Sequence, residues 1–407
     1  MRLFNTMSQQ VEEFTATDGK VSLYVCGVTP YDTAHLGHAF VFATFDTLVR
    51  VLRARNIAVS YAQNVTDIDD PLFEKAQQLG NITWDALAKQ ETDRFLAEMS
   101  AIHVAMPDYF VHASEELPAM FDLIQKLLDR GYAYQNDGWI YFDVRQDQHF
   151  ADLARAGGLS GYDNLLATAN QNGNDGGDPR KRDPLDFVLW RHADTDEPSW
   201  PSPFGLGRPG WHIECSAMAT KYLGPQIDIH GGGTDLIFPH HSCEIAQSEN
   251  ASGQRPYVRH WMHIAMVGLD GIKMSKSLGN LVIINQLLAK HTPDAIRTLI
   301  ASHHYRTAWE YTDADMANAQ VVADRLLVAT TGTTSDTVPE PGSVAQHLDR
   351  DFMAAIDDDL DTPQALATLD IFAHRLIAGA IAEAEQPIAR HQLRRLAQLI
   401  GLELRRA

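Results

Sequence analysis

The sequence predicts an α/β protein with a parallel sheet and a helical C-terminal part. Three observations predict it. A strand, a helix and a second strand follow one another over residues 21–65, an order that implies parallel strands. A further apolar stretch, Ile-Asp-Ile-His-Gly-Gly-Gly at 227–233, runs into a glycine turn, and a helix is expected from His240 onward. Beyond Trp309 the pattern is almost wholly helical.

Each element has a local reason. Residues 21–27 form a short apolar run that ends at Gly27, as a buried strand does. From 36 to 55 the apolar residues Phe42, Phe45, Leu48, Val49 and Leu52 recur three and four apart, the spacing of one helix face. Residues 58–65 read as the second strand, and helical periodicity returns over 84–99 and 115–130. Asn136-Asp137-Gly138 signals a hairpin. Residues 151–180 are expected to be a long loop, because Gly157, Gly158 and Gly161 precede a polar stretch at 170–178. A second loop is expected at 200–205, and a polar link at 330–343 interrupts the helical tail. No internal repeat is visible.

Composition narrows the class. The chain has 407 residues, 45% hydrophobic and 21% charged, which excludes a fibrous or largely disordered protein. No apolar run reaches the ~20 residues of a membrane span. The start, MRLFNTMSQQVEEF, does not read as a secretory signal. Cys26, Cys215 and Cys243 cannot make a disulfide framework, so a cytoplasmic location is expected. The formal net charge of −20 argues against non-specific nucleic-acid binding, although it leaves room for a local basic patch.

Two short motifs carry chemistry. His35-Leu36-Gly37-His38 falls at the start of the first helix. Helix N-termini attract phosphate, glycine permits close approach, and two imidazoles can donate to a phosphoryl group whose charge grows in the transition state. The plainer alternative is two histidines that cap or pack. Lys273-Met274-Ser275-Lys276-Ser277 follows Gly268-Leu269-Asp270-Gly271. Two lysines on a glycine-hinged loop can close over a triphosphate and offset the charge moving onto pyrophosphate. A solvated surface loop is the alternative there.

In this order, HxGH then KMSKS, the pair resembles the signatures of class I aminoacyl-tRNA synthetases. The resemblance narrows to the cysteinyl branch through Cys26-Gly27, residues 63–70 (QNVTDIDD), 181–186 (KRDPLD), 207–218 (GRPGWHIECSAM), 231–235 (GGGTD) and 238–241 (FPHH), and it covers residues 20 to about 310. It implies a Rossmann-like catalytic domain in two halves, 1–120 and 206–265, around an inserted connective region at 121–205. A KMSKS and stem-contact-like region would follow at 266–315, then a C-terminal helical bundle at 316–407.

The resemblance also implies the site. Cysteine would be activated by ATP, with Mg²⁺, as an aminoacyl-adenylate, and His35, His38, Lys273 and Lys276 would be the catalytic groups. One zinc ion would be held by Cys26, Cys215, His240 and Glu244. A substrate thiolate on that zinc would exclude serine, a harder ligand. Thr29, Thr66 and Trp211 match the cysteine pocket, with plain core packing as the alternative for Trp211. Gly27, Val28, Gly37, Val41, Asn64, Val65, Gly233, Thr234, Asp235 and Val267 match the remaining lining, Asp235 facing the ribose. Cys243 has no counterpart in the zinc pattern and reads as core.

Within the branch two kinds of enzyme share this body: cysteinyl-tRNA synthetases, and ligases that join activated cysteine to the amine of glucosaminyl-inositol in mycothiol biosynthesis. Pro30, the Gly176-Gly177-Asp178-Pro179 element and a short tail resemble the ligases. Residues 210–218, Glu244 and Val41 depart from that pattern. The reading is therefore a ligase with a small aminosugar acceptor in a monomeric protein; the alternatives are a short cysteinyl-tRNA synthetase or a cysteine ligase with another amine acceptor. Asp67, Asp69 and Asp70 either orient an ammonium or cap a helix.

Overall fold

The structure is a computed structural model that describes residues 1–31, 34–193, 197–269, 271–274 and 281–405. Its centre is a five-stranded sheet of β1 (Lys20–Val28), β2 (Ala58–Val65), β3 (Tyr109–His112), β4 (Ile227–Gly233) and β5 (Val258–Ile264). The spatial order is β5-β4-β1-β2-β3, and every pairing is parallel. The chain runs outward from β1 to β3, then returns to the other side of β1 for β4 and β5. Loops leaving β1 and β4 therefore diverge, which opens a crevice at the carboxyl ends of these two strands. β1 is apolar in sequence because both its faces are covered; Leu23, Tyr24 and Val25 are fully buried.

Helix α1 (Leu36–Ala54) follows β1, as its apolar spacing predicts. It is buried on more than its apolar face, because a buried Asp46 pairs with Arg50 and with Arg297, each at 2.9 Å. Arg297 lies on the later helix Pro293–Ala301. This pair ties the two halves of the chain together, and removing one partner of a buried pair costs about 3–5 kcal/mol.

Between β3 and β4 the chain forms a separate antiparallel sheet of Ala133–Asn136, Trp139–Phe142, Phe187–His192 and Gly207–Pro209. The expected hairpin is present, with Asp137 (φ 50°) and Gly138 (φ 78°) both left-handed at its turn. The long loop expected at 151–180 is corrected: it contains the helices Asp152–Ala156 and Tyr162–Gln171. The glycines there punctuate helices instead of abolishing them. Gly157 ends the first and Gly161 caps the second, while buried Leu153, Ala154, Leu165 and Ala169 supply apolar faces.

The tail holds four helices, Asp313–Ala329, Val344–Asp357, Thr362–Ile377 and Gln386–Leu399, and no helix or strand in the link 330–343. An N-terminal hairpin, Arg2–Asn5 with Gln10–Glu13, was not legible in the sequence. Among the described residues, no helix is long and apolar enough to cross a membrane.

Candidate active site and metal centre

Four chain segments meet at the floor of the crevice. Cys26 lies near the end of β1, Cys215 sits on α3 (Trp211–Leu223), His240 lies in the turn Ile237–His241, and Glu244 is in the first turn of α4 (Ser242–Ser252). All four are buried, and their ligand atoms lie within 4.8 Å of one another. The two Sγ atoms are 3.8 Å apart, and His240 Nε2 is 3.2 Å from Glu244 Oε1. Thiolates bound to zinc at ≈ 2.3 Å on tetrahedral corners sit about 3.8 Å apart, and N and O ligands about 3.3 Å apart. The donor set and its spacing suit a zinc ion.

The electrostatics point the same way. Burial pushes the Cys26 and Cys215 thiols up and pulls the His240 imidazole well down. A dry pocket of this kind disfavours thiolates until a cation offsets their charge, and it keeps imidazole neutral, the form that binds metal. A second set, Cys26, His230, His241 and Glu244, also meets the ligand spacing. His230 Nε2 lies 3.0 Å from Glu244 Oε2, and His241 Nδ1 2.8 Å from His263 Nε2. His212 Nδ1 lies 2.9 Å from His240 Nδ1. The sequence reading missed these supporting histidines. Their one signal is that 230, 241 and 263 each sit in a segment otherwise apolar or glycine-rich.

Cys243 is buried and belongs to neither four-residue set. Trp211 is not plain core: it is half-buried and stacks on the His240 ring at 4.4 Å between centroids.

The threonines flank this floor. Thr29 Oγ1 donates to Asp69 Oδ2 at 3.1 Å. Thr66 accepts from Asn64 Nδ2 at 3.1 Å, and its N–H donates to the Val28 carbonyl. Asn64 in turn accepts from the Gly27 N–H at 2.8 Å. β2 passes so close that a Cβ on Gly27 would stand 1.6 Å from the Asn64 carbonyl oxygen, so only glycine fits. Val65 is buried at the end of β2.

The acidic run divides. Asp67 accepts from the Ser114 N–H and hydroxyl and faces His112 at 3.2 Å, a structural role. Asp69 is the N-cap of α2 (Asp70–Leu79), which supports the capping alternative. Asp70 pairs with Arg191 at 3.1 Å and with Arg208.

At the start of the first helix His35 caps α1. Its Nδ1 accepts from the N–H groups of Gly37 (3.1 Å) and His38 (3.4 Å), and the His35 and His38 rings stack at 3.7 Å. An accepting Nδ1 makes this ring neutral, with its proton on Nε2 as a donor. A Cβ on Gly37 would press into the His35 ring at 2.9 Å, which explains the glycine between the histidines. Tertiary structure brings the segment that follows the second motif here. Leu36 N–H donates to the Val282 carbonyl at 2.8 Å, and Ile284 N–H to the Ala34 carbonyl at 3.1 Å. Met274 is buried on the other flank. Lys276 lies outside the described residues, and of Lys273 the backbone is placed, paired with Gly268. Gly233, Thr234 and Asp235 turn off the end of β4; Val41 is half-buried on α1, and Val267 is buried in the short strand Val267–Leu269.

A parallel sheet that reverses order at β1, with histidines at the first helix start, defines the class I synthetase fold. Solved structures share it. The chain superposes on Mycobacterium tuberculosis methionyl-tRNA synthetase in complex with methionyl-adenylate with a TM-score of 0.64 and 16% identity, covering 94% of this chain and 89% of that one. With an Agrobacterium radiobacter K84 LeuRS in complex with tRNA and LeuAMS the TM-score is 0.65 at 10% identity, covering 95% and 85%. The family model described as the tRNA synthetases class I (C) catalytic domain matches residues 12–321, and the chain belongs to that family. It is 44% identical over 379 residues to the L-cysteine:1D-myo-inositol 2-amino-2-deoxy-alpha-D-glucopyranoside ligase of Kribbella flavida, covering 92% of this chain and 89% of that protein. The protein of the same name from Streptosporangium roseum is 41% identical over 406 residues, covering 99% and 96%. That from Tsukamurella paurometabola is 45% identical over 392 residues.

Proposed function

We propose that the chain is an ATP-dependent ligase that activates L-cysteine as cysteinyl-adenylate and transfers it to the amine of glucosaminyl-inositol, in mycothiol biosynthesis. The observation that carries this reading is the near full-length match, in both directions, to relatives named for that pair of substrates. The two-thiol floor supports the amino-acid half.

In the first step a cysteine carboxylate oxygen attacks the α-phosphorus of ATP, and pyrophosphate leaves with the bonding electron pair. His35 and His38 donate toward the phosphates from the start of α1, and Lys273 and Lys276 offset the charge of the departing pyrophosphate. Zinc held by Cys26, Cys215, His240 and Glu244 would supply a soft partner for the substrate thiolate. Thr29, Thr66 and Trp211 enclose the rest of the amino acid. In the second step the acceptor nitrogen attacks the adenylate carbonyl, and AMP leaves.

A second reading, a short cysteinyl-tRNA synthetase, is favoured by Glu244 standing within the ligand cluster. One experiment separates the two: purified protein, ATP and labelled cysteine, with either tRNA or glucosaminyl-inositol. Amide formation with AMP release, and no response to tRNA, is the expected outcome. Charging of tRNA with no amide would overturn it.

A further inference from the structure

A cavity of about 570 Å³ lies between the carboxyl edge of the central sheet and the inserted antiparallel sheet. Its inner end is Thr29, Trp211 and His212, beside the metal floor; its outer wall includes Asn174, Lys181 and Arg191. Such a volume falls in the range that holds drug-sized ligands, and a single amino acid leaves most of it unfilled.

Two carboxyl groups near its inner end, Glu214 and Asp69, have no ion pair among the described residues. Glu214 is 1% exposed, and its Oε2 has no hydrogen-bond partner among the described residues. Its remaining hydrogen bond is to Thr66. A buried carboxyl oxygen without a donor is costly, so it marks a place for a ligand donor. Asp69 is half-buried and accepts from the Thr29 hydroxyl and the Asp70 N–H. The charged groups facing Asp69 are Asp70, Glu214 and Arg208, and Arg208 is engaged by Asp70 and, at 3.5 Å, by Glu197. The Thr29 hydroxyl spends its proton on Asp69, so it presents only lone pairs to the cavity. This wall is an acceptor for a protonated amine, which brings only donors.

We infer that this cavity is the subsite of the second substrate, where Glu214 and Asp69 hold the ammonium of an aminosugar and Asp69 takes its proton. This rests on the ligase reading above. The free amine nitrogen then forms a bond to the carbonyl carbon of cysteinyl-adenylate. The bond from that carbon to the phosphate oxygen breaks, and AMP leaves with its electron pair. The second nitrogen proton passes to the departing phosphate. Lys181, held by Asn174 at 2.6 Å, also lines the cavity and has further ammonium protons for sugar hydroxyls. Burial raises the Asp69 carboxyl above its ordinary value, which makes it a stronger base than an exposed aspartate.

The test is Asp69→Asn, whose single amide oxygen can still accept from the Asp70 N–H at the α2 cap, while its NH2 group replaces the oxygen that accepts from Thr29. Two rates are measured: cysteine-dependent ATP–pyrophosphate exchange, which needs no acceptor, and full ligation with glucosaminyl-inositol. The ratio of ligation to exchange should fall about 100-fold, the ordinary worth of a general base. Glu214→Gln should raise the acceptor KM about 10-fold more than the cysteine KM. If exchange and ligation fall in step, or the cysteine KM moves instead, the carboxyl groups serve the amino acid or the fold, and the inference is wrong. A wild-type protein that charges tRNA and makes no amide sinks the ligase reading and this subsite with it. A wild type that makes the amide, with an unchanged ratio in Asp69→Asn, sinks the subsite alone.

Discussion

The floor of the crevice and its roof are held by different physics. Cys26, Cys215, His240 and Glu244 in the floor are each 6% exposed or less, and their ligand atoms lie within 4.8 Å of one another. The roof is the inserted sheet, joined to the start of α2 by Arg191 and Arg208 on Asp70, whose side chain is 55% exposed. Charges and thiols out of water have no substitute partner, so loss of one group is felt in full. Exposed ion pairs trade one partner for solvent at little cost. A rigid floor suits discrimination of one small side chain, and a screened roof suits a surface that admits and releases a second molecule.

The comparison breaks first at the floor. Cys215→Ala should take zinc content from about one per chain to near zero and lower cysteine-dependent exchange by more than the 10- to 100-fold that a supporting group costs. Metal analysis and exchange kinetics on the same preparation check this; full zinc and full exchange would mean that the cluster is only packing. One layer out, His212→Ala removes the partner 2.9 Å from His240. Metal affinity, read by chelator competition, should fall roughly 10- to 100-fold, with ATP binding kept.

The roof should respond far less. Asp70→Ala removes the pairs with Arg191 and Arg208 and should cost about 1–2 kcal/mol in denaturant titration, because Asp70 is 55% exposed and the buried Arg208 keeps Glu197 at 3.5 Å. A loss of several kcal/mol would show that the roof is as rigid as the floor. The smallest effect concerns His112 beneath the roof, where the hydrogen bond to Asp67 raises the imidazole above its ordinary value. A raised histidine adds stability that is fully present below about pH 6.5 and is lost as pH rises through the folded value. His112→Gln should therefore cost more stability at pH 6 than at pH 8, by at most about 1 kcal/mol for a half-exposed pair.

The sequence by itself determined the elements that depend on neighbours in the chain. The spacing of Phe42, Phe45 and Leu48 predicted α1, the run at 58–65 predicted β2, and Asn136-Asp137-Gly138 predicted the hairpin, because helix faces, buried strands and tight turns are local patterns. The paired HxGH and KMSKS motifs and the motifs of the cysteinyl branch also fixed the family in advance. Local reading failed at 151–180, where glycines that end helices looked like glycines that prevent them. Only the tertiary structure decided what lies across the chain. Cys26 reaches Cys215 from 189 residues away, and the second motif's flank hydrogen-bonds the first motif's turn. The supporting histidines 230, 241 and 263, and the Glu214 Oε2 atom that has no partner among the described residues, gain meaning only from burial and from the partners they meet. Those are set by the reversal of strand order at β1, a property of the whole sheet that no single stretch of sequence carries.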